Sequence, residues 1–325
     1  MPRIEIDGIG VEYELIGEAG APVIALTPGG RFSKDTPGLP EFARTLANGG
    51  RRVLLWDRPN CGASDICFEA ESESELHGRT LTKLLRALDL APAALAAGSA
   101  GSRVSLIAAS RDPEAVSGLA LWWISGGVIG LASLATFYCA ESATAASQGG
   151  MEAVAAAPCW AEQIARNPKN RDIILAQDPD AFIERMQRWA TFFIPSRDSP
   201  VPGMTPADFA RLKMPVLLFR NGKSDLSHTR RTSEWVHELI PHSRLVEPPW
   251  PDQEWNNRSA AVRTEGRGLF EGWPALAPAR WAFVTLTVAS PGGPRLDPVP
   301  PDLRRVRRDE QGRNPLVRAL LVHSR

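Results

Sequence analysis

Ala97-Gly98-Ser99-Ala100-Gly101 is the stretch of sequence that decides the fold. It follows the apolar run 93–96 and precedes a helix-like segment, 103–109, which places it where a strand turns into a helix. A serine with very small residues two positions before and after it is typical of a nucleophile elbow, because that tight turn leaves no room for larger side chains. An ordinary small-residue turn is the alternative in an alanine-rich chain. The pattern makes Ser99 the candidate nucleophile.

Two loops upstream of this turn carry glycine and polar residues. The predicted buried strand 22–27 runs into Pro28-Gly29-Gly30-Arg31, a glycine turn of the kind that exposes backbone N–H groups toward an oxyanion. The predicted strand 52–56 runs into Asp57-Arg58-Pro59-Asn60-Cys61-Gly62-Ala63-Ser64. A predicted helix over 73–88 separates this second loop from the elbow strand.

The glycine turn, the Asp-Arg-Pro-x-x-Gly-x-Ser loop at 57–64 and the serine elbow, in this order and spacing, resemble the α/β-hydrolase fold family. The resemblance extends over residues 4–242, and it is to the branch that holds esterases, proline iminopeptidase-like enzymes and carbon–carbon bond hydrolases. A serine at the elbow, rather than an aspartate, argues against epoxide hydrolases and haloalkane dehalogenases. The resemblance implies an α/β fold with a mostly parallel, doubly wound sheet, and ligands bound at the carboxyl ends of its strands.

The resemblance also implies roles for individual residues. Ser99 would be the nucleophile, and the N–H groups of Gly30 and Ala100 would form the oxyanion hole. Asp225 follows the predicted strand 214–219 and matches the position of the acid that orients the catalytic base. The alternative for Asp225 is an N-cap of the next helix.

The sequence does not place the general base. The family carries a histidine after its last strand, but residues 245–290 contain none. Counting on from that strand puts the position near Asp252, whereas a local match puts it at Arg267, whose guanidinium stays protonated and cannot act as a base. His228, three residues beyond Asp225, is a further candidate. His228, Asp252 and Arg267 therefore remain open as the base or its slot.

The alternation of predicted strands and helices stops in the middle of the chain, where the sequence is alanine-rich and helical in pattern. The predicted organisation is a hydrolase core at 1–125 and 209–279, an inserted helical cap at 126–208, and an Arg- and Pro-rich tail at 280–325, predicted to be disordered. In this family a cap shapes the substrate pocket and excludes water. The aromatic candidates for that pocket, which could equally be core, are Trp122, Trp123, Phe137, Tyr138, Trp160, Trp189 and Phe192.

Composition and charge narrow the choice of partners. The 37 basic and 37 acidic residues balance, so charge favours neither nucleic acid nor an anionic membrane as partner. Four cysteines without metal-ligand spacing, and the absence of a secretion signal, are consistent with a cytoplasmic protein without metal or organic cofactor. The uncharged stretch 115–140 is long enough for a membrane span, but its small polar residues favour a soluble core. His77 is interpreted as a surface residue of a helix. The sequence leaves open whether the chain forms a homo-oligomer.

Two functions follow from these observations. The leading hypothesis is an α/β-hydrolase that cleaves an ester or related acyl bond, or an activated carbon–carbon bond, of a small and largely apolar substrate through Ser99. The alternative is a catalytically impaired hydrolase-fold protein that binds a small ligand or a partner, because the histidine is not found where the family carries it.

Overall fold

An eight-stranded sheet runs through the computed structural model, which describes residues 1–277. The predicted tail at 280–325 lies outside the described residues. The strands are β1 (Arg3–Ile6), β2 (Ile9–Ile16), β3 (Val23–Thr27), β4 (Arg52–Trp56), β5 (Ala93–Gly98), β6 (Val116–Trp122), β7 (Val216–Phe219) and β8 (Arg244–Val246). Their order across the sheet is β1-β2-β4-β3-β5-β6-β7-β8.

The sheet is parallel except at its N-terminal edge. β1 pairs with β2, and β2 with β4, in antiparallel fashion, whereas the strands from β4 across to β8 are paired in parallel. Parallel neighbours require crossover connections, and helices supply most of them here. The predicted mostly parallel, doubly wound sheet is confirmed.

Helices occupy most of the chain between the strands. In the described part they are α1 (Leu39–Asn48), α2 (Glu73–Ala87), α3 (Ala100–Arg111), α4 (Val128–Ala135), α5 (Glu141–Ala155), α6 (Pro158–Arg166), α7 (Lys169–Leu175), α8 (Pro179–Thr191), α9 (Pro206–Ala210), α10 (Arg230–Leu239) and α11 (Glu254–Glu265). The starts of several follow local chemistry: the Ser72 hydroxyl accepts a hydrogen bond from the Glu75 N–H at the start of α2. The sequence did not predict α1, α7, α9 or α11.

Each face of the sheet has its own hydrophobic core. Successive residues of a strand point to opposite faces, so Leu95 and Ala97 of β5 join the core beneath α2 and α3, while Ala94 and Ala96 join the core beneath α1. Every residue of β5 is buried, as expected for a central parallel strand covered on both sides. The turn that follows this strand is therefore held from both faces.

The helices from α4 to α8, between β6 and β7, supply most of a third core, to which Ile66 and Phe68 of the loop after β4 and Ala100 of α3 also belong. Two buried arginines connect this helical segment to the rest of the molecule. Arg31 pairs with Glu73 through Nε (3.1 Å) and Nη2 (3.2 Å), donates to the Tyr138 carbonyl, and its guanidinium lies 4.0 Å from the ring centre of Trp160. Arg103 donates to the carbonyl of Phe192 at 2.8 Å.

A helical run of 39 residues, 128–166, has the length and apolar composition that would allow a helix to cross a membrane. Its backbone is interrupted in several places. A π-helical turn occupies Thr136–Ala140, and Gly149 and Gly150 have non-helical dihedral angles. The run is thus divided into shorter segments, of which α5 packs against α8.

Candidate active site

Ser99 lies at the corner between β5 and α3 with a backbone φ of 57°, a conformation that costs energy for any residue except glycine. The turn leaves no space around it. A Cβ atom at Gly101 would lie 2.4 Å from the carbonyl oxygen of Thr27, and one at Gly29 would lie 2.4 Å from Cβ of Ser99. The small residues of the sequence pattern are therefore required by the close approach of neighbouring backbone segments.

Arg58 holds the glycine turn from behind. Its Nη2 donates to the carbonyl oxygens of Gly29 (3.2 Å), Gly30 (2.8 Å) and Phe32 (3.4 Å). These bonds direct the carbonyls of the turn toward a buried guanidinium. Gly29 and Gly30 also line the cavity beside Ser99. An arginine in the loop after β4 thus shapes the turn after β3.

The loop around Asp57 is closed by its own side chains. The Asp57 carboxylate accepts the N–H of Lys34 at 2.6 Å and of Ala63 at 2.9 Å, and the Ser64 hydroxyl donates to the Asp57 carbonyl at 2.6 Å. A Cβ at Gly62 would lie 2.2 Å from this carboxylate. The spacing of the Asp-Arg-Pro-x-x-Gly-x-Ser loop therefore has a structural cause, and it presents Arg58 to the glycine turn.

His228 links Ser99 to Asp225. Its Nε2 lies 2.8 Å from Oγ of Ser99, and its Nδ1 lies 2.9 Å from Oδ2 of Asp225. An ionised carboxylate only accepts hydrogen bonds, so Nδ1–H donates to Asp225. In the neutral imidazole the other nitrogen, Nε2, then accepts a hydrogen bond from the Ser99 hydroxyl. All three side chains are buried. The arrangement can transfer a proton from a hydroxyl to an oriented imidazole.

Asp225 and His228 lie on a single turn after β7. Oδ1 of Asp225 accepts the backbone N–H groups of Ser227 and His228, both at 2.9 Å. Gly126, after β6, forms a bridge with His228. The carboxylate and the imidazole are thus held together by local hydrogen bonds, and the turn is tied to the neighbouring strand end.

Two indole rings enclose the imidazole of His228. The ring of Trp123 is stacked at 6.0 Å with an interplanar angle of 20°, and Trp255 meets the imidazole edge-on at 4.5 Å and 89°. Trp123 has a φ of 46°, unusual for so large a residue. Trp255 comes from the segment after β8, so the part of the chain expected to carry the base supplies a tryptophan instead.

A cavity of about 280 Å³ opens in front of Ser99. His228 is the one ionisable side chain among its described lining residues, which are Gly29, Gly30, Phe32, Ser99, Ser125, Gly130, Ser133, Leu134, Phe137, Ser227, His228, Trp255, Leu269 and Phe270. The pocket is therefore mainly apolar, with hydroxyl groups close to the serine.

The structure separates the three candidates for the base. His228 lies at Ser99, whereas Asp252 pairs with Arg230 at 2.5 Å and Arg267 pairs with Glu271 at 3.0 Å. Neither Asp252 nor Arg267 lines the cavity. The interpretation of Arg267 as the base slot is wrong, because α11 intervenes after β8 and leaves that side chain half exposed.

Several aromatic predictions also need correction. Trp122 is in the core beneath the elbow and meets Trp273 edge-on, because Gly98 leaves room for its indole. Trp123 contacts His228 but does not line the cavity. Of the predicted aromatic residues, Phe137 does line it. The other members that do not line it are Tyr138, Trp160, Trp189 and Phe192.

The prediction that His77 lies at the surface is wrong. It is 2% exposed, and its Nε2 lies 2.7 Å from the carbonyl oxygen of Pro59, to which it donates. Burial, together with the nearby guanidinium of Arg58, lowers the pKa of His77 well below the ordinary histidine range. A helical pattern does not reveal that a loop will cover one of its polar positions.

The sequence contains one local signal for His228. A carboxylate accepts the backbone N–H groups two and three residues later in a common local turn, so Asp225 and His228 were spaced for mutual contact. Ser125, which lines the cavity next to Ser99, had no such signal. Its position depends on where β6 ends relative to β5.

No family model matches the chain. A curated relative, the 2-hydroxy-6-oxononadienedioate/2-hydroxy-6-oxononatrienedioate hydrolase of Cupriavidus pinatubonensis, is 38% identical over 85 residues. This match covers 26% of the present chain and only 29% of that relative. It is therefore a local similarity.

Solved structures match over most of the chain. The enol-lactonase from Burkholderia xenovorans is similar with a TM-score of 0.51 and 19% identity, covering 82% of this chain and 98% of that one. A hydrolase from Pseudomonas aeruginosa gives 0.52 and 21%, covering 87% and 97%. An α/β-hydrolase enzyme from a Medee basin deep-sea metagenome library gives 0.55 and 16%, covering 91% and 99%. With its sheet order and serine corner, the chain has the α/β-hydrolase fold.

Proposed function

We propose that this protein is a serine hydrolase that cleaves esters or related acyl bonds of small, largely apolar substrates. The observation that carries the proposal is the hydrogen-bonded series Ser99–His228–Asp225, with separations of 2.8 and 2.9 Å. Nucleophile, base and orienting acid follow one another in hydrogen-bond contact at the mouth of a cavity, as acyl transfer requires. The alternative of an impaired hydrolase was based on a missing histidine, and in this proposal His228 takes that role.

In the proposed reaction Oγ of Ser99 attacks the substrate carbonyl carbon while Nε2 of His228 takes the hydroxyl proton. Asp225 keeps the imidazole in the required tautomer and stabilises its protonated form. His228 then gives this proton to the leaving alcohol as the bond from the acyl carbon to the leaving oxygen breaks. Water, deprotonated by the same imidazole, releases the acid from Ser99.

The developing negative charge is assigned to backbone amides. The N–H groups of Gly30 and Ala100 would donate to it, and each such donor contributes about 3 kcal/mol to transition-state stabilisation. The support is the position of the two amides. Gly30 lines the cavity. The Ala100 nitrogen is close to the glycine turn, since a Cβ atom added at Gly29 would lie 3.2 Å from it. Arg58, bonded to the carbonyls of the glycine turn, is the residue that would keep this turn in place.

The cavity favours an uncharged substrate. Its described lining contains neither lysine nor arginine, so a substrate carboxylate would be buried without a partner cation. The partial relative from Cupriavidus is named for a dioate, a substrate with two carboxylates. We therefore assign to this chain a neutral acyl group, such as that of a short ester or lactone, and not a dicarboxylate.

Ester turnover and covalent labelling test the proposal together. A fluorophosphonate probe is expected to label Ser99, and p-nitrophenyl butyrate to be hydrolysed, with both activities lost in Ser99→Ala. His228→Ala is expected to lower kcat/KM by at least about 10³-fold, because the hydroxyl then lacks an acceptor. Mono-p-nitrophenyl succinate, of similar length but charged, is expected to react at least about tenfold more slowly than the butyrate.

Two matched controls accompany these variants. His242→Ala removes a histidine whose Nε2 bonds the Met214 carbonyl outside the cavity. Arg267→His places a histidine at the position that the local sequence match assigned to the base. Both are expected to leave kcat/KM within about twofold, since surface changes away from a site have small effects. Absence of labelling and of ester turnover in the parent protein would refute the proposal, and a large gain in Arg267→His would refute the role of His228.

A further inference from the structure

Ser125 places a second hydroxyl group next to the serine of the elbow. Its Oγ lies 3.4 Å from Oγ of Ser99, its side chain lines the cavity, and it is 1% exposed. Ser99 is the one hydrogen-bond partner that the structure gives to this hydroxyl within the described chain. Two groups therefore meet Oγ of Ser99: the imidazole of His228 and the hydroxyl of Ser125.

The segment that carries Ser125 is held on both sides. The N–H and carbonyl of Ile124 bond the side-chain amide of Asn221, at 3.1 and 3.0 Å. Gly126 donates its N–H to the Ser227 carbonyl at 3.3 Å and bridges His228. The backbone on either side of Ser125 is thus held relative to the turn that carries His228, which is the kind of preorganisation that a reacting group requires.

We propose that Ser125 is a further catalytic residue, whose hydroxyl holds the hydrolytic water during deacylation. The inference rests on the proposed serine hydrolase function. When Ser99 is acylated, its Oγ loses its proton and becomes an ester oxygen, which is a weak acceptor. His228 and Ser125 then lose their common partner, and both face the acyl group. A water bonded to the two of them lies beside the ester carbon.

Deacylation consumes one water molecule and regenerates Ser99. One water hydrogen passes to Nε2 of His228 as the water oxygen bonds to the acyl carbon, while the other O–H donates to Oγ of Ser125. The bond between the acyl carbon and Oγ of Ser99 then breaks, and His228 returns the proton to Ser99. The second hydrogen leaves with the product acid, and Ser125 is unchanged. Its contribution is to orient a water lone pair toward the carbon.

Partitioning of the acyl-enzyme between water and hydroxylamine tests this role. Both p-nitrophenyl acetate and hydroxylamine are added, and the ratio of acetohydroxamate to acetate is measured alongside p-nitrophenolate release. Ser125→Ala is expected to raise this ratio about tenfold, because hydrolysis loses one hydrogen bond between neutral groups. Acylation measured in the pre-steady state is expected to change less than about threefold.

Ser125→Gly also removes the hydroxyl and is expected to give the same shift, whereas Ser125→Thr retains it and is expected to keep the parent ratio. Ser110→Ala, which removes a buried hydroxyl that donates to the Ile107 carbonyl outside the cavity, is the matched control and is expected to leave the ratio unchanged. A parent-like ratio in Ser125→Ala or Ser125→Gly would overturn the role of Ser125 alone. Failure of the parent to release p-nitrophenolate would overturn the proposed function as well.

Discussion

Where backbone segments approach closely, only small residues fit, and such positions allowed the sequence to predict the serine corner. At Ser99 and Gly101 the motif was readable because the turn after β5 excludes side chains, and such steric exclusion acts over a few residues of chain. His77 shows the opposite case. Its helix was predicted, but its burial depends on the loop at Pro59, which a helical pattern does not contain.

The low pKa of His77 makes a prediction for stability. Its pKa is lowered by burial in the folded state, whereas in the unfolded chain it titrates near 6.5. Below that pH the unfolded state binds a proton that the folded state does not, so stability falls as pH decreases from about 6.5 toward the folded pKa. His77→Gln, which keeps an N–H for Pro59, is expected to remove up to about 1.4 kcal/mol of this loss per pH unit.

Urea unfolding of parent and His77→Gln between pH 7.5 and 5 measures this effect. The difference in unfolding free energy between the two proteins is expected to be constant above pH 7 and to shift in favour of the variant as the pH falls. Carboxylates that titrate in the same range affect both proteins alike and cancel. Parallel curves over the whole range would show that His77 does not contribute.

At the scale of elements, the buried side chain of Asn221 connects the ends of β6 and β7 with the start of α10. Asn221 follows β7, and its amide bonds Ile124 after β6 and the Thr229 carbonyl at the start of α10. Its own backbone N–H donates to the hydroxyl of Ser233 at 3.0 Å. The turn carrying His228 lies between these anchors, so Asn221 positions the imidazole without contacting it.

Replacing Asn221 with alanine is expected to affect both stability and catalysis. The buried N–H of Ile124 and two carbonyls lose their partners, at a cost of about 2–4 kcal/mol in unfolding free energy. We expect kcat for p-nitrophenyl butyrate to fall at least about tenfold, because the distance from His228 to Ser99 is no longer fixed. Equilibrium unfolding and steady-state kinetics measure the two effects.

Asn256→Ala is the matched control for this variant. Asn256 is exposed and donates to the Ser224 carbonyl at 3.3 Å, so its loss should change stability by less than about 0.5 kcal/mol. A stability loss in Asn221→Ala without any change in kcat would show that Asn221 supports the fold but not the geometry of the site.

At the scale of the whole molecule, the helices α4 to α8 are attached to the sheet through buried charge. Arg31 follows the glycine turn, pairs with Glu73 of α2, and lies against Trp160 of α6. Both members of the pair are less than 5% exposed. A buried pair of this kind adds little net stability, but removal of one member leaves the other as an unpaired buried charge.

Arg31→Met is therefore expected to lower the free energy of unfolding by about 3–5 kcal/mol, because Glu73 remains buried without its cation. The double variant Arg31→Met/Glu73→Gln is expected to recover part of this loss. Arg44→Met, which breaks an exposed pair with Glu41, is the control and should cost less than about 1 kcal/mol. Urea denaturation distinguishes these outcomes, and equal effects in Arg31→Met and Arg44→Met would contradict the argument.

The sequence by itself determined the order of the strands, several of the helices, the serine corner and the candidate carboxylate at Asp225. Each of these depends on residues close together in the chain, through hydrophobic periodicity, turn sterics or local hydrogen bonds. Only the tertiary structure decided which histidine meets Ser99, that Trp255 occupies the place after β8, and that Ser125 stands beside the serine. These contacts depend on where separate strands end relative to one another, and that is set by packing of the sheet and its two cores, which no short segment encodes.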